Sequence, residues 1–181
     1  MSRIGYKPLT FPEGVTLKVT GREVEVKGPK GTLTIAIPEG IDIKADAAQA
    51  ILARPDDSKH YKQNHGTTRA LIHNAIVGVS QGYEKRLEIV GIGYKAAIDP
   101  DGSLRLNIGY SHQVVITPRP GVKITATDAT HVIVTGIDRQ AVGETAANIR
   151  AVREPEPYQG KGIKYAGEHI IRKEGKRAGK K

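Results

Sequence analysis

The chain has no cysteine and no tryptophan, and its 181 residues include one phenylalanine, one methionine and seven tyrosines. Without cysteine there is no disulfide framework, no thiolate nucleophile and no cysteine-ligated zinc. Long apolar runs are missing as well. The opening Met1-Ser2-Arg3-Ile4-Gly5-Tyr6-Lys7-Pro8 offers no signal-type apolar stretch, and nothing later approaches the ~18 uninterrupted apolar residues of a membrane-spanning helix. The expected setting is therefore the cytoplasm, with an organellar matrix as the alternative, and no membrane partner. Scarce aromatics leave little for a nucleic-acid surface built on base stacking, so charge and shape would have to dominate the recognition of an RNA.

What is present is apolar material for a core and a strong excess of positive charge. Apolar residues make up 38% and charged residues 26%, which excludes wholesale disorder, and the length allows one medium domain or two small ones. Lys and Arg number 28 against 19 Asp and Glu, a net +9 that attracts polyanions, chiefly nucleic acid or an acidic membrane surface.

The chain repeats itself. Lys27-Gly28-Pro29-Lys30-Gly31 followed by Thr32-Leu33-Thr34-Ile35 finds a counterpart 71 positions later in Ile98-Asp99-Pro100-Asp101-Gly102 followed by Ser103-Leu104-Arg105-Leu106. Each reads as strand, turn, strand, with Pro at the second corner and Gly closing the turn. The flanks alternate as half-buried strands do: Val15, Leu17, Val19, Val24 and Val26 in one half, Tyr94, Ala96, Ile98, Leu104, Leu106 and Ile108 in the other. Further strands are expected at Ile41–Ile43 and Ile51–Ala53, matched by Val122–Ile124 and Val132–Val134. A helix closes each half. Leu71, Ile72, Ala75, Ile76 and Val79 form one apolar stripe between Thr67 as N-cap and Gly82 as stop; Val142, Ala146, Ile149 and Val152 form the other, after Asp138 and before Pro155. Residues 55–66 read as a polar loop present only in the first half. The fold class is α+β: two tandem similar domains, each a small, mostly antiparallel sheet packed against one helix, plus a basic C-terminal tail. The expected boundaries are 1–82, 83–157 and 158–181.

Charge is concentrated at the end. Residues 158–181 hold eight Lys or Arg against Glu168 and Glu174, so they carry +6 of the net +9. Interspersed glycines leave little to fold around, and the segment is expected to be extended or disordered in isolation until a polyanion orders it; the plainer alternative is a solvated solubility tail. Tyr158 and Tyr165 among the charges favour binding.

No catalytic constellation emerges. The six histidines, at 60, 65, 73, 112, 131 and 169, form no HExxH or HxH pair. Ser111 and His112 are adjacent in an extended segment, where neighbouring side chains diverge. The glycines at 91 and 93 and at 28 and 31 fall short of a dinucleotide fingerprint or a P-loop. Asp56-Asp57 and Asp99/Asp101 lie in turns that favour Asp for local bonding. The chain is thus expected not to be an enzyme, with no metal, cofactor or small-molecule substrate.

Several strings carry a resemblance: Met1-Ser2-Arg3-Ile4-Gly5 with Lys7-Pro8, Val26-Lys27-Gly28-Pro29-Lys30-Gly31, His65-Gly66-Thr67-Thr68-Arg69, Gly91-Ile92-Gly93-Tyr94, Gly109-Tyr110-Ser111-His112, Gly136-Ile137-Asp138, Ala146-Ala147-Asn148-Ile149-Arg150 and Pro155-Glu156-Pro157-Tyr158-Gln159-Gly160-Lys161-Gly162-Ile163. In this order, over essentially the whole chain, they resemble the bacterial-type L-six family of large-subunit ribosomal proteins. The resemblance implies a two-domain protein that binds large-subunit (23S) rRNA near the stalk base and the sarcin-ricin region visited by translational GTPases, with ribosomal proteins as neighbours. It implies that Tyr158, Lys161, Gly162, Lys164, Arg172, Lys173, Lys176 and Arg177 face rRNA, followed by Tyr94, Lys95, Ser111 and His112; Arg69 joins these candidates. Gln159, Gln113 and Tyr6 depart from the family's usual residues, and the first and last each remove a possible phosphate contact. The competing readings are a free-standing RNA chaperone and a small metal-dependent nuclease using Asp56 and Asp57.

Overall fold

The alternating apolar residues on either side of Lys27–Gly31 become a three-stranded antiparallel sheet, β2 (Thr16–Thr20), β3 (Glu23–Gly28) and β4 (Gly31–Ala36), in that order. The structure, a computed structural model, describes residues 4–46 and 49–176. It divides into two compact units, one running through Tyr83 with Ile137–Arg139 added, the other comprising Glu84–Gly136 and the described chain from Gln140 onward.

In the first unit a second antiparallel sheet joins β1 (Leu9–Thr10), β6 (Gln49–Ala53) and β5 (Asp42–Ala45), with β6 central. The helix α1 (Lys59–Ser80) covers both sheets. Its buried face, His65, Thr68, Ile72, Ala75, Ile76 and Val79, repeats every three or four residues and meets Val24, Val26, Ala50 and Leu52 in one core. Leu71, expected in that stripe, is exposed, one position off the buried face. The helix is also longer than expected. It begins after Ser58, whose amide is bonded to Asp56 Oδ1 at 2.7 Å, so most of the expected polar loop is helical. Asp57 steadies this first turn through Lys62 at 3.5 Å. At the other end Gly82, at φ 78°, terminates the helix as expected, its amide reaching the Val77 carbonyl. The hairpin turn at Pro29-Lys30 docks there too: the Lys30 amide donates to the Val79 carbonyl at 2.9 Å, and its ammonium to the Gln81 carbonyl. A cation and two donors thus meet carbonyls that a helix end leaves unpaired.

The second unit repeats the plan with an insertion and an addition. β8 (Lys95–Ile98), β9 (Leu104–Asn107) and β10 (Val114–Ile116) form an antiparallel sheet in the order β10-β9-β8. A four-stranded sheet runs β11-β12-β7-β13, from β7 (Tyr83–Val90), β11 (Val122–Ala126), β12 (His131–Gly136) and β13 (Gly162–Tyr165). Gly31 and Gly102 stand 71 positions apart whereas Gly40 and Gly121 stand 81 apart, so the second half carries ten more residues between those landmarks, and β10 lies among them. The helix α2 (Arg139–Val152) starts directly after Asp138 and buries Val142, Thr145, Ala146 and Ile149.

The strand β13 lies inside the segment expected, from 158 onward, to be extended or disordered in isolation. It pairs antiparallel with β7, Gly162 opposite Val90 and Tyr165 opposite Leu87, and Ile163 is fully buried. One apolar side chain and a ladder of backbone bonds suffice to fix this stretch despite its charge. No helix among the described residues is long and apolar enough to cross a membrane.

Candidate nucleic-acid interface

The carboxylates considered for metal chemistry are committed to local bonds. Asp56 accepts from the Ser58 amide, which holds its carboxyl below the usual range, and Asp57 is held down mainly by its bonds from the Arg54 guanidinium. Asp101 accepts from the Ser103 amide and hydroxyl, and Asp99 pairs with Arg105 at 2.5 Å. No group of three or more His, Asp or Glu that could hold a metal occurs among the described residues.

In the first unit, His65 and Arg69 serve the N-terminal arm. His65 is fully buried, with Nε2 3.1 Å from the Leu52 carbonyl, Nδ1 3.2 Å from the Arg54 guanidinium, and the edge of Tyr6 against its ring. A Cβ at Gly5 would overlap that ring. Arg69, one of the expected rRNA contacts, donates to the carbonyls of Lys7 and Pro8, both at 3.3 Å. Its guanidinium thus ties the arm down onto α1.

In the second unit the remaining candidates fall into two groups. Tyr94 follows the turn at Gly91-Ile92-Gly93 and leans over Gly91, where a Cβ would collide with its ring. Lys95 opens β8 and is exposed; Ser111 and His112 lie exposed in the loop between β9 and β10. The Arg153 guanidinium gathers this group: its centre lies 5.3 Å from the Tyr94 ring and 5.5 Å from the Tyr110 ring, while Nη1 donates to the Ile108 carbonyl at 2.8 Å. Tyr110 donates to the Val152 carbonyl at 2.8 Å and stacks on His112 with ring centres 5.9 Å apart and planes at 13°.

The second group is built on β13. Gly162 is buried at φ 141°, and a Cβ there would stand 2.5 Å from the Glu154 carbonyl oxygen. It is therefore a packing residue, set against the Glu154 carbonyl and Pro155. Lys164 pairs with Glu88 at 2.8 Å and lines a recess of about 390 Å³ with Gly160, His169 and Arg172. The Lys161 carbonyl accepts from the Glu156 amide, and the Lys173 amide donates to the Pro157 carbonyl at 2.7 Å, folding the exposed 171–173 stretch back beside an exposed Tyr158. Lys176 is exposed, and Arg177 lies outside the described residues. Glu168 anchors the segment. It accepts from Arg150 at 2.8 Å and from the Tyr165 amide at 2.9 Å, and these bonds hold its carboxyl below the usual carboxylate range. Arg153 connects the two groups, because its carbonyl accepts from the Ile163 amide at 2.8 Å.

Sequence reasoning did not mention Arg153; Arg150 lay within a quoted string and Glu168 among the charges of the tail, both outside the candidate set. Tyr110 lay within a quoted string but outside the candidate set. Nothing local marks Arg153, a cation just past a helix C-terminus, where the helix dipole alone explains it.

The family model described as Ribosomal protein L6 matches residues 11–82 and again 90–166, once for each repeat. The chain belongs to this family. Among its relatives, the large ribosomal subunit protein uL6 of Carboxydothermus hydrogenoformans is 53% identical over 99% of this chain and 98% of the relative. Proteins of the same name from Oenococcus oeni and Listeria monocytogenes are 51% and 52% identical over 97% of this chain and 98% of each relative. The L6 family consists of structural ribosomal proteins and not enzymes, and its second match extends through β13, joining that strand to the second repeat.

Proposed function

We propose that this L6-family chain is a structural constituent of the large ribosomal subunit, binding 23S rRNA through its second unit and basic C-terminal segment. Its place is near the stalk base and the sarcin-ricin region, beside neighbouring ribosomal proteins and where translational GTPases dock; its compartment is that of the ribosome. The observation that carries this reading is the similarity, at about half identity over nearly the full length, to proteins named for the large subunit. The charge distribution supports it, with +6 of the net +9 in the last 24 residues, because each phosphate that a Lys or Arg neutralises releases condensed counterions. Lys161, Lys164, Arg172, Lys173, Lys176 and Arg177 supply phosphate contacts in this reading, and Tyr94, Lys95, Ser111, His112 and Tyr158 flank them. Arg69 contributes indirectly by fixing the arm that carries Lys7.

Sedimentation tests the proposal. The native chain should travel with the large subunit through a wash at moderate salt. Release into the soluble fraction together with mixed RNAs would indicate a free-standing RNA chaperone instead and would overturn the reading.

A further inference from the structure

Seven tyrosines and one phenylalanine in 181 residues leave few aromatic rings, yet two of them, a histidine and an arginine converge at one place in the second unit. Four planar groups follow one another there, in the order Tyr94, the Arg153 guanidinium, Tyr110 and His112. The inner members are fixed: Arg153 by its bond to the Ile108 carbonyl, Tyr110 by its bond to the Val152 carbonyl. Tyr94 is held against Gly91, and Gly109, at φ 83°, brings the backbone close enough that a Cβ there would stand 3.1 Å from Arg153 Nη1. The outer end is open. Tyr110 is 44% exposed, His112 is exposed, and the adjoining turn carries Ile92 at 93% exposure. In the chain, this exposed aliphatic side chain and the exposed Lys95 flank Tyr94 on either side.

We propose that the Tyr110–His112 pair is a stacking platform for one unpaired RNA base, with Arg153 the positioning residue that holds the pair in place. This rests on the rRNA-binding reading above and adds the mode of contact. A base brings a flat π-face that can lie on the imidazole, and stacking of this kind is tolerant of base identity; the stacked ring neutralises no phosphate, so it releases no counterions and leaves the salt slope to the cations. Recognition in this chain is therefore not a matter of charge and shape alone, as its aromatic-poor composition suggests.

The test measures the affinity of the full-length chain for in vitro transcribed 23S rRNA across a salt series, with a length-matched random RNA as control. His112→Ala should bind the rRNA roughly 5- to 150-fold more weakly, the equivalent of one stacked base, with the slope of log affinity against log salt unchanged. His112→Phe, which keeps an aromatic face and loses the ring nitrogens, should restore most of that loss. Thermal unfolding of both variants should match the parent, since His112 is exposed in a loop. Three results overturn the platform: full affinity in His112→Ala, failure of His112→Phe to rescue, or a shallower salt slope in both variants, which would mark His112 as a cation on a phosphate. If the parent chain does not distinguish 23S rRNA from random RNA, the rRNA-binding reading fails together with the platform. If the parent distinguishes them and the variants bind equally well, the platform alone fails.

Discussion

Gly162 has a packing role that a string of charges does not reveal. Placed between Lys161 and Ile163 in a basic segment, it resembles a flexible point where backbone approaches a phosphate. In the fold it is buried at φ 141° against the Glu154 carbonyl and Pro155. A Cβ there meets both an unfavourable backbone conformation and an overlap, so Gly162→Val should destabilise the second unit by about 2–4 kcal/mol. Urea denaturation measures this directly, and an unchanged midpoint would contradict the packing assigned to Gly162. Arg153 is the converse case. Its contacts with Tyr94, Tyr110 and Ile108 join residues more than forty positions away in the chain, and no local pattern announces them.

At the level of elements, periodicity revealed most of what it could. The hairpins around Gly28–Gly31 and Asp99–Gly102 and the helices ending near Gly82 and Pro155 were legible, because alternating valines and leucines, turn prolines and positive-φ glycines each impose a local preference. The start of α1 was not. Lys59–Asn64 contributes no fully buried side chain, so the helix extends on backbone bonds and the Asp57 ion pairs without an apolar stripe to mark it. The strand β13 escaped for a similar reason: Ile163 is its one fully buried large side chain, set between Gly162 and Lys164. What holds β13 in place also makes it sensitive to acid. The Arg150 guanidinium, followed by the Tyr165 amide, keeps Glu168 charged below the usual carboxylate range. A depressed folded value contributes stability that is complete above the ordinary carboxylate pKa and is lost as pH falls through the folded one. Glu168→Gln should therefore lower the melting temperature near neutral pH and lose less stability than the parent on acidification. Thermal unfolding from about pH 7 to about pH 3 checks this; parallel profiles for the two proteins would contradict it.

For the whole molecule, the repeat and the basic balance were legible in the sequence, and the family match reproduces the repeat segment by segment. What the sequence concealed was the strand β13 within its basic C-terminal segment. Truncation separates the two roles of the C-terminal region. Deleting 158–181 removes Ile163, the β13 ladder and the Glu168–Arg150 pair, so it should unfold or strongly destabilise the second unit. Deleting 175–181 removes four cations and keeps Glu174. It should leave the melting temperature unchanged and make the salt dependence of rRNA binding shallower by roughly one to three units of slope. If the longer deletion melted like the parent, β13 would be dispensable; an unchanged slope in the shorter one would mean that phosphate contacts lie elsewhere.

The central claim is that the surface around Tyr110, His112, Lys161 and Lys164 faces rRNA. Ultraviolet crosslinking of large subunits carrying this chain, with mass-spectrometric mapping of the attached peptides, tests it most directly. The account predicts crosslinked nucleotides on peptides covering 91–95, 109–113 and 158–173. Crosslinks confined to β2, β3 and β4 of the first unit, with none on those peptides, would contradict it.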